Sequence, residues 1–312
     1  MPSARPTPAA WSDSAITGSC LGHSTVLINF LGLRVLTDPV FSTRVGIGAG
    51  PLIVGPRRWL RPALRPRDFP PPDLILLSHA HFDHFDVPSL RKLPRDIPVV
   101  TAENTGDLLR RLRFREVHEL GWGDSVTIAP RGASIRISAF KVAHWGARMI
   151  RDAHRGYNGY VLERAGRRIC FGGDTAYTRA FAALNDPRNP LDLAIMPIGA
   201  YNPWIRAHCT PEQAVAMAAQ AGARCFVPIH HETFRLGDEP MAEPAARLRA
   251  AFSAEPERLL AVRVGETFRV PLDGLRQNPT RSTSVDFGAS SDMAPLRKPP
   301  ASASQARRKS HG

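Results

Sequence analysis

A dense group of titratable side chains lies at residues 78–86, in the stretch SHAHFDHFD. His79, His81, Asp83 and His84 follow directly on the apolar run DLILL. Charged side chains at the end of a buried strand are costly unless something pairs with them. Imidazole nitrogens and carboxylate oxygens are ligands for zinc and similar ions. We therefore interpret the stretch as a metal-binding motif rather than as a solvated polar turn.

The spacing within this motif favours two metal ions. His79 and His81 are two residues apart, so at a strand end they point to the same side. Asp83 and His84 follow in the turn, and all four side chains cannot converge on one ion without strain. Two ions roughly 3.5–4 Å apart, the usual separation in two-metal hydrolase sites, would use all of them.

Further ligands must come from other strand ends. His144 closes the segment FKVAH, Asp174 closes RICFGGD and His230 closes RCFVPIH. Each follows an apolar, strand-like run, as the motif histidines do. Because loops at strand ends are held by a rigid scaffold, we expect these side chains to meet at one site.

Short buried strands alternate with helices along the chain. The runs DLILLSH, LDLAIMPIGA and RCFVPIHH are typical of strands buried on both faces. The segment TPEQAVAMAAQAG predicts a helix that is capped by Thr210 and Gln213 and ended by Gly222. Residues 41–72 are rich in Gly, Pro and Arg, and they predict a functional loop or lid. The pattern favours an α/β or α+β fold whose helices cover buried sheets.

The motif resembles the HxHxDH signature of the metallo-β-lactamase superfamily, and the resemblance extends from about Gly18 to Phe268. It implies a four-layer αβ/βα sandwich with a dinuclear, usually zinc, centre at one edge. The implied ligands are His79, His81 and His144 for one metal, Asp83, His84 and His230 for the other, and Asp174 as the bridge.

A narrower branch is also similar. The stretches GHSTVLI, TDPVFS, GPRRWLRP, GGDTAY and PIHHETF resemble the group that contains N-acyl-phosphatidylethanolamine-hydrolysing phospholipase D. His231 departs from that enzyme, which has tryptophan there. The true β-lactamases of the superfamily commonly have cysteine at the position of Asp174. An aspartate there resembles the phosphodiesterases, lactonases and thioester hydrolases.

These features predict a metal-dependent hydrolase with two divalent ions, with zinc favoured over manganese or iron. A metal-bridging hydroxide would attack a phosphodiester such as an N-acyl phospholipid. The alternatives are a lactone, other ester or thioester hydrolase of the same superfamily, or a nucleic-acid-processing nuclease. A non-catalytic metal-binding or partner-binding protein agrees poorly with a full ligand set.

Individual residues receive predicted roles from their context. His208 precedes a helix N-terminus, where N–H groups favour anions, and the branch resemblance puts a histidine near the substrate there. His231 is expected to face away from its neighbour His230 and not to bind metal. The candidate catalytic residues are Asp83 and His208. The candidate substrate contacts are Arg57, Arg58, Tyr201 and Trp204, and the residues expected to orient metal ligands are His23 and Asp38.

Composition bounds the organisation of the chain. Its 312 residues, 43% of them hydrophobic, suit one core domain with appendages. We predict a flexible N-terminus at residues 1–14, a metallo-β-lactamase-like hydrolase domain at residues 15–273 and a disordered basic tail at residues 274–312. The formal charge is +13, but residues 276–312 alone contain seven basic and two acidic residues. We therefore expect an anionic small-molecule or lipid substrate and no specific nucleic-acid partner.

Cysteine usage and hydropathy indicate the compartment. The four cysteines form no CxxC pair, which favours a reducing compartment. The N-terminal stretch lacks the apolar region of a signal peptide, and no apolar run reaches the roughly 18 residues of a membrane span. We predict a cytoplasmic protein, with peripheral contact at the inner face of the membrane as an open alternative.

Overall fold

The computed structural model describes residues 1–49, 52–149 and 152–272. The predicted basic tail at residues 274–312 lies outside these residues. Within them the chain forms fifteen strands and four α-helices. The strands are β1 Ile16–Gly22, β2 Thr25–Phe30, β3 Leu33–Thr37, β4 Ile47–Ala49, β5 Leu52–Val54, β6 Leu74–Leu77, β7 Val99–Ala102, β8 Val117–Leu120, β9 Ser125–Ile128, β10 Ile135–Lys141, β11 Asn158–Arg164, β12 Arg167–Phe171, β13 Leu193–Pro197, β14 Cys225–Ile229 and β15 Thr267–Arg269. The helices are α1 Val87–Leu90, α2 Gly106–Arg111, α3 Pro211–Gln220 and α4 Glu243–Ala251.

Two mixed sheets and one separate hairpin contain these strands. The first sheet has the order β15-β1-β2-β3-β6-β7-β8, and the second has the order β14-β13-β12-β11-β10-β9. β4 and β5 pair with each other as an antiparallel hairpin. The predicted α/β architecture is confirmed.

The core forms because the central strands are apolar on both faces. All four residues of β6 and all five of β14 are buried, as expected of parallel strands covered on both sides. Side chains from both sheets join in one cluster, in which Leu76 and Ile137 are fully buried. A second cluster lies between the second sheet and helices α3 and α4, and it contains Met196, Met217 and Leu248.

Helix α3 begins where the sequence predicts. The Thr210 side chain accepts from the Gln213 backbone N–H, and the Gln213 side chain accepts from the Thr210 N–H. This capping box satisfies two of the free N–H groups at the helix start. The start of α3 thereby fixes the chain that immediately precedes it, which contains His208.

The segment at residues 41–72, predicted to be a functional loop or lid, has regular structure in its described part. It contains the β4–β5 hairpin and a 3-10 turn at Pro66–Asp68. Residues 1–14, predicted to be flexible, contain a 3-10 turn at Pro8–Ala10, and the Ser3 backbone N–H donates to the Val264 carbonyl oxygen over 3.0 Å. Among the described residues, no helix has the length and apolar character that a membrane crossing requires.

Candidate metal centre

The predicted ligands come from strand ends of both sheets. His79 and His81 follow β6 in the first sheet, whereas His144, Asp174 and His230 follow β10, β12 and β14 in the second. These strand ends meet at one edge of the sandwich. The structure brings together all seven predicted ligands within four overlapping groups of candidate ligand atoms.

The first group consists of His79, His81 and His144. His79 Nε2 lies 2.8 Å from His81 Nδ1, and His144 Nε2 lies 3.2 Å from the same atom. Two nitrogens bound to one tetrahedral zinc at about 2.0–2.1 Å stand roughly 3.3 Å apart. Burial lowers the pKa of all three histidines. Their imidazoles are therefore held neutral, with lone pairs available to a cation.

We place the remaining predicted ligands in one second group, in which His84 and His230 lie around the carboxylates of Asp83 and Asp174. Asp174 Oδ2 lies 3.1 Å from His84 Nε2 and 3.1 Å from His230 Nε2. Asp83 Oδ2 lies 3.6 Å and 3.5 Å from the same two nitrogens. Asp174 Oδ2 is also 3.8 Å from His144 Nε2. Asp174 thus lies between the two groups, where a bridging ligand is expected.

Electrostatics distinguish this second group from the first. Burial alone would lower the pKa of His84, but Asp174, Asp83 and Asp38 raise it well above its ordinary value. Burial likewise opposes the charged form of His230, whereas Asp174 and Asp83 raise its pKa to about 9. The carboxylates therefore attract positive charge to this position, from protons or from a metal ion.

Several buried ligand atoms have no hydrogen-bond partner in the described part of the chain. They include His84 Nε2, His230 Nε2 and Asp174 Oδ1. Buried polar atoms are rarely left unpaired, because the desolvation cost is then uncompensated. Imidazole nitrogens and carboxylates that converge on these positions are suitable ligands for divalent metal ions, once His84 and His230 have each lost a proton. The residues present fit the predicted metals.

Asp38 and Ser78 orient two of the ligands. Asp38 Oδ2 accepts from His84 Nδ1 over 2.6 Å, and Asp38 also accepts from the backbone N–H and hydroxyl of Ser78. The Ser78 hydroxyl lies 2.9 Å from His79 Nδ1. These contacts hold the protons on the Nδ1 atoms, so that both Nε2 atoms face the metal site. Ser78 was not among the predicted site residues, although its position directly before the motif was a usable signal.

His23 lies nearer the centre than predicted. Its Nε2 is 2.9 Å from Asp83 Oδ2, and its ring centroid is 4.2 Å from that of His230. It also belongs to a group of candidate ligands with Asp83, His84 and His230. Burial, followed by the charge of His230, lowers the pKa of His23 to about 3. A neutral His23 donates to Asp83 and orients that carboxylate.

His208 faces the same centre. Its Nδ1 lies 3.8 Å from Asp174 Oδ2 and has no hydrogen-bond partner among the residues described. Its ring centroid is 5.0 Å from that of His230. Burial lowers the pKa of His208 to about 4. His208 is therefore neutral at physiological pH and is close enough to contact a substrate bound at the centre.

The two predicted arginine contacts differ in their exposure. Arg58 is buried, and its guanidinium donates to the carbonyl oxygens of Val40 and Ser42 over 2.6 Å and 2.9 Å. Those donors are not available to an anion, so Arg58 supports the loop instead. Arg57 is exposed.

The two predicted aromatic contacts also differ in exposure. Tyr201 is buried, and its hydroxyl donates to Glu243 over 2.6 Å. Trp204 is 53% exposed, and its indole N–H donates to the Leu236 carbonyl oxygen. His231 belongs to none of the candidate ligand groups of the described residues, and it lines a small cavity together with His230, Glu239 and Met241.

Trp145, which was not among the predicted residues, also lies beside the candidate ligands. Its ring centroid lies 4.8 Å from that of His81 and 4.5 Å from that of His144, and the residue is 40% exposed. It therefore forms an aromatic wall beside the first ligand group. Its position directly after a predicted ligand was the only signal in the sequence.

Comparison with known proteins decides the family. The model of the beta-lactamase superfamily domain matches residues 33–231. The chain belongs to this superfamily. It is a metal-dependent hydrolase with a His/Asp metal-binding cluster, in the branch that resembles N-acyl-phosphatidylethanolamine-hydrolysing phospholipase D.

Two relatives illustrate this position within the superfamily. N-acyl-phosphatidylethanolamine-hydrolyzing phospholipase D 1 of Caenorhabditis elegans is 30% identical over 260 residues, which cover 79% of this chain and 72% of that protein. An uncharacterized Mycobacterium tuberculosis protein is 33% identical over 288 residues, which cover 90% of this chain and 73% of its own. Among solved structures, isothiocyanate hydrolase from Delia radicum gut bacteria superposes with a TM-score of 0.63 at 18% identity, covering 81% and 98% of the two chains. That likeness supports the superfamily fold alone.

Proposed function

We propose that the protein is a dinuclear zinc phosphodiesterase that hydrolyses N-acyl phospholipids in the manner of a phospholipase D. The observation that carries the proposal is the position of Asp174 between two ligand groups, within 3.1 Å of His84 and His230 and 3.8 Å of His144. The phospholipase D relative from Caenorhabditis elegans supports the substrate class.

Each of the two ligand groups would hold one ion. His79, His81 and His144 would hold the first ion, Asp83, His84 and His230 the second, and Asp174 both. Bound divalent ions supply Lewis acidity, which polarises a phosphoryl oxygen and lowers the pKa of a water molecule. Asp38, Ser78 and His23 orient the ligands through the hydrogen bonds described above.

His208 is proposed to contact the reacting phosphate. A neutral imidazole donates one N–H, and this donor would stabilise negative charge on a phosphoryl oxygen. The unpartnered Nδ1 and its proximity to Asp174 support the assignment. Trp145, beside His81 and His144, would exclude water from one side of the bound substrate.

An anionic lipid surface is the proposed partner. Large exposed apolar side chains occur on the β4–β5 hairpin and just after it, at Ile47, Leu52, Val54 and Trp59. Exposed arginines lie in the same segment, at Arg44, Arg57 and Arg61. Apolar side chains flanked by basic ones suit the interface of an anionic membrane. The backbone N–H of Trp59 donates to the carbonyl oxygen of Thr233 over 2.7 Å. This bond connects the segment to the chain three residues after His230.

Metal analysis combined with two phosphodiester substrates tests the function. Purified protein, reloaded with zinc, should bind two ions per chain and hydrolyse bis-p-nitrophenyl phosphate. It should also release phosphatidic acid from N-acyl-phosphatidylethanolamine vesicles, and Asp174→Ala should abolish both activities. Fewer than two ions after reloading would refute the dinuclear centre. Turnover of lactones or thioesters alone would refute the substrate class.

A further inference from the structure

We propose that Arg148 is a positioning residue that holds the ligand turn, defined as residues 79–86, in its metal-binding shape. The inference rests on the proposed metal centre but concerns a residue outside the ligand set. Arg148 follows the proposed ligand His144 by four residues and lies in the loop between β10 and β11 of the second sheet, whereas the ligand turn follows β6 of the first.

One guanidinium group spans the ligand turn. Arg148 Nη1 donates to the carbonyl oxygen of Ala80 over 2.9 Å and to that of Phe85 over 2.7 Å. These two carbonyls lie on either side of the ligands His81, Asp83 and His84. Both ends of the turn are therefore bound to the same nitrogen, which limits the distance between them.

The same guanidinium also contacts the middle of the turn. Its central carbon lies 4.0 Å from the centroid of the Phe82 ring, a cation–π contact. Phe82 stands between the ligands His81 and Asp83. Only a planar cation can stack on an aromatic ring and donate within its plane to two carbonyls, so lysine cannot replace arginine here.

The segment that supplies Arg148 is itself anchored. Arg155 pairs with Asp152 over 2.7 Å and with Asp107 at the start of α2 over 2.6 Å. Gly156 N–H donates to the Glu103 carbonyl oxygen over 2.7 Å. At Gly146 a Cβ atom would lie 2.1 Å from the Arg155 carbonyl oxygen. The two chain segments of this loop therefore approach each other so closely that position 146 requires glycine. Arg148 thus extends from a fixed base.

The contacts explain why a cation is retained in this position. Burial, partly offset by Asp86, lowers the pKa of Arg148 to about 10, so the side chain stays charged at neutral pH. A partly buried charge is costly unless it is hydrogen-bonded. The two carbonyls and the Phe82 ring offset that cost only while the ligand turn keeps its present shape.

Zinc affinity measured by chelator competition tests the inference. Arg148→Met should weaken zinc binding about tenfold to hundredfold, the range found when outer contacts of metal ligands are removed. Arg148→Lys should resemble Arg148→Met, and Phe82→Leu should have a smaller effect of the same sign. Arg136→Met, an exposed arginine on β10, is the matched control and should bind zinc as the wild type does.

Thermal unfolding separates positioning from general stability. The increase in Tm on zinc loading should shrink in Arg148→Met and Arg148→Lys, while the Tm of the metal-free forms stays near that of the wild type. Wild-type zinc affinity in Arg148→Met, or an equal Tm loss with and without metal, would overturn the inference. Failure of the wild-type protein to bind zinc would instead refute the proposed function.

Discussion

The Nδ1 atom of His144 lies 2.9 Å from the carbonyl oxygen of Ala207 and donates to it. Ala207 directly precedes His208, so one peptide segment orients a proposed metal ligand and presents the proposed phosphate contact. The same segment leads into the capping box of α3. The position of His208 relative to the group His79, His81 and His144 is therefore held by this hydrogen bond and by the start of α3.

Replacing His208 separates its role from metal binding. His208→Ala should lower kcat on bis-p-nitrophenyl phosphate about hundredfold, because a donor to the reacting oxygen is lost. Metal content should remain that of the wild type, since the seven ligands are untouched. His118→Ala, which removes a partly exposed histidine paired with Glu116 and remote from the proposed ligands in sequence, is the control. Unchanged turnover would remove His208 from the mechanism.

Asp38 should affect the second metal in particular. Asp38→Asn replaces the carboxylate that accepts from His84 Nδ1, and zinc affinity at the second site should fall about tenfold to hundredfold. Metal titration of the variant should therefore show one strong and one weakened site. Asp73→Asn is the matched control: Asp73 is a buried carboxylate just before β6 that accepts from Arg34 N–H. If both variants bind metal alike, the orienting role of Asp38 is wrong.

Metal binding should release protons. The carboxylates hold the pKa of His230 at about 9 in the metal-free protein and raise that of His84 well above its ordinary value. Below these values each histidine must lose a proton before it binds metal, so zinc affinity should rise with pH from 6.5 towards 9. Calorimetric titration in buffers of different ionisation enthalpy counts the protons. A pH-independent affinity with no proton release would contradict this view.

The cysteines should be inert in the folded protein. Burial raises the pKa of Cys20 and Cys170 to about 12 and that of Cys225 to about 11, and it raises that of Cys209 further. A chromogenic thiol reagent at pH 8 should find no reactive thiol before unfolding and four after it. Because only the unfolded chain ionises near the ordinary value of 9.0, the free energy of unfolding should fall as pH rises above about 9. Rapid labelling of native protein would show that these thiols are accessible.

The β4–β5 hairpin and the basic segment that follows it, at residues 55–61, should bind anionic vesicles. Arg57→Gln should weaken sedimentation with phosphatidylserine vesicles about fivefold, since one arginine near such a surface is worth about 1 kcal/mol. Trp59→Ala should weaken it at high salt as well, because its contribution is apolar. Arg188→Gln, an exposed arginine just before β13, should have no effect. Equal losses in all three variants would indicate unspecific attraction by the net positive charge.

The clustering of the predicted ligands could be foreseen because strand ends leave a strong pattern. His79, His144, Asp174 and His230 each follow a short apolar run, and the runs determine the sheets. Arg58 could not be assigned in this way. Its charge indicated an anion contact, whereas its guanidinium is buried and donates to the carbonyl oxygens of Val40 and Ser42. Trp145 and Arg148 act through contacts between distant segments, which no local pattern reports. The β4–β5 hairpin was missed because Gly and Pro dominate its surroundings.

The proposed centre would take its ligands from the first sheet through β6 and from the second through β10, β12 and β14. A bound ion therefore cross-links the two halves of the sandwich at one edge, in addition to any chemistry it performs. Amide hydrogen exchange in β6 and β14 should slow together on metal loading, because opening either strand would break bonds to the same ion. Metal supply would then govern how long each molecule survives proteolysis, as well as how fast it turns over its substrate.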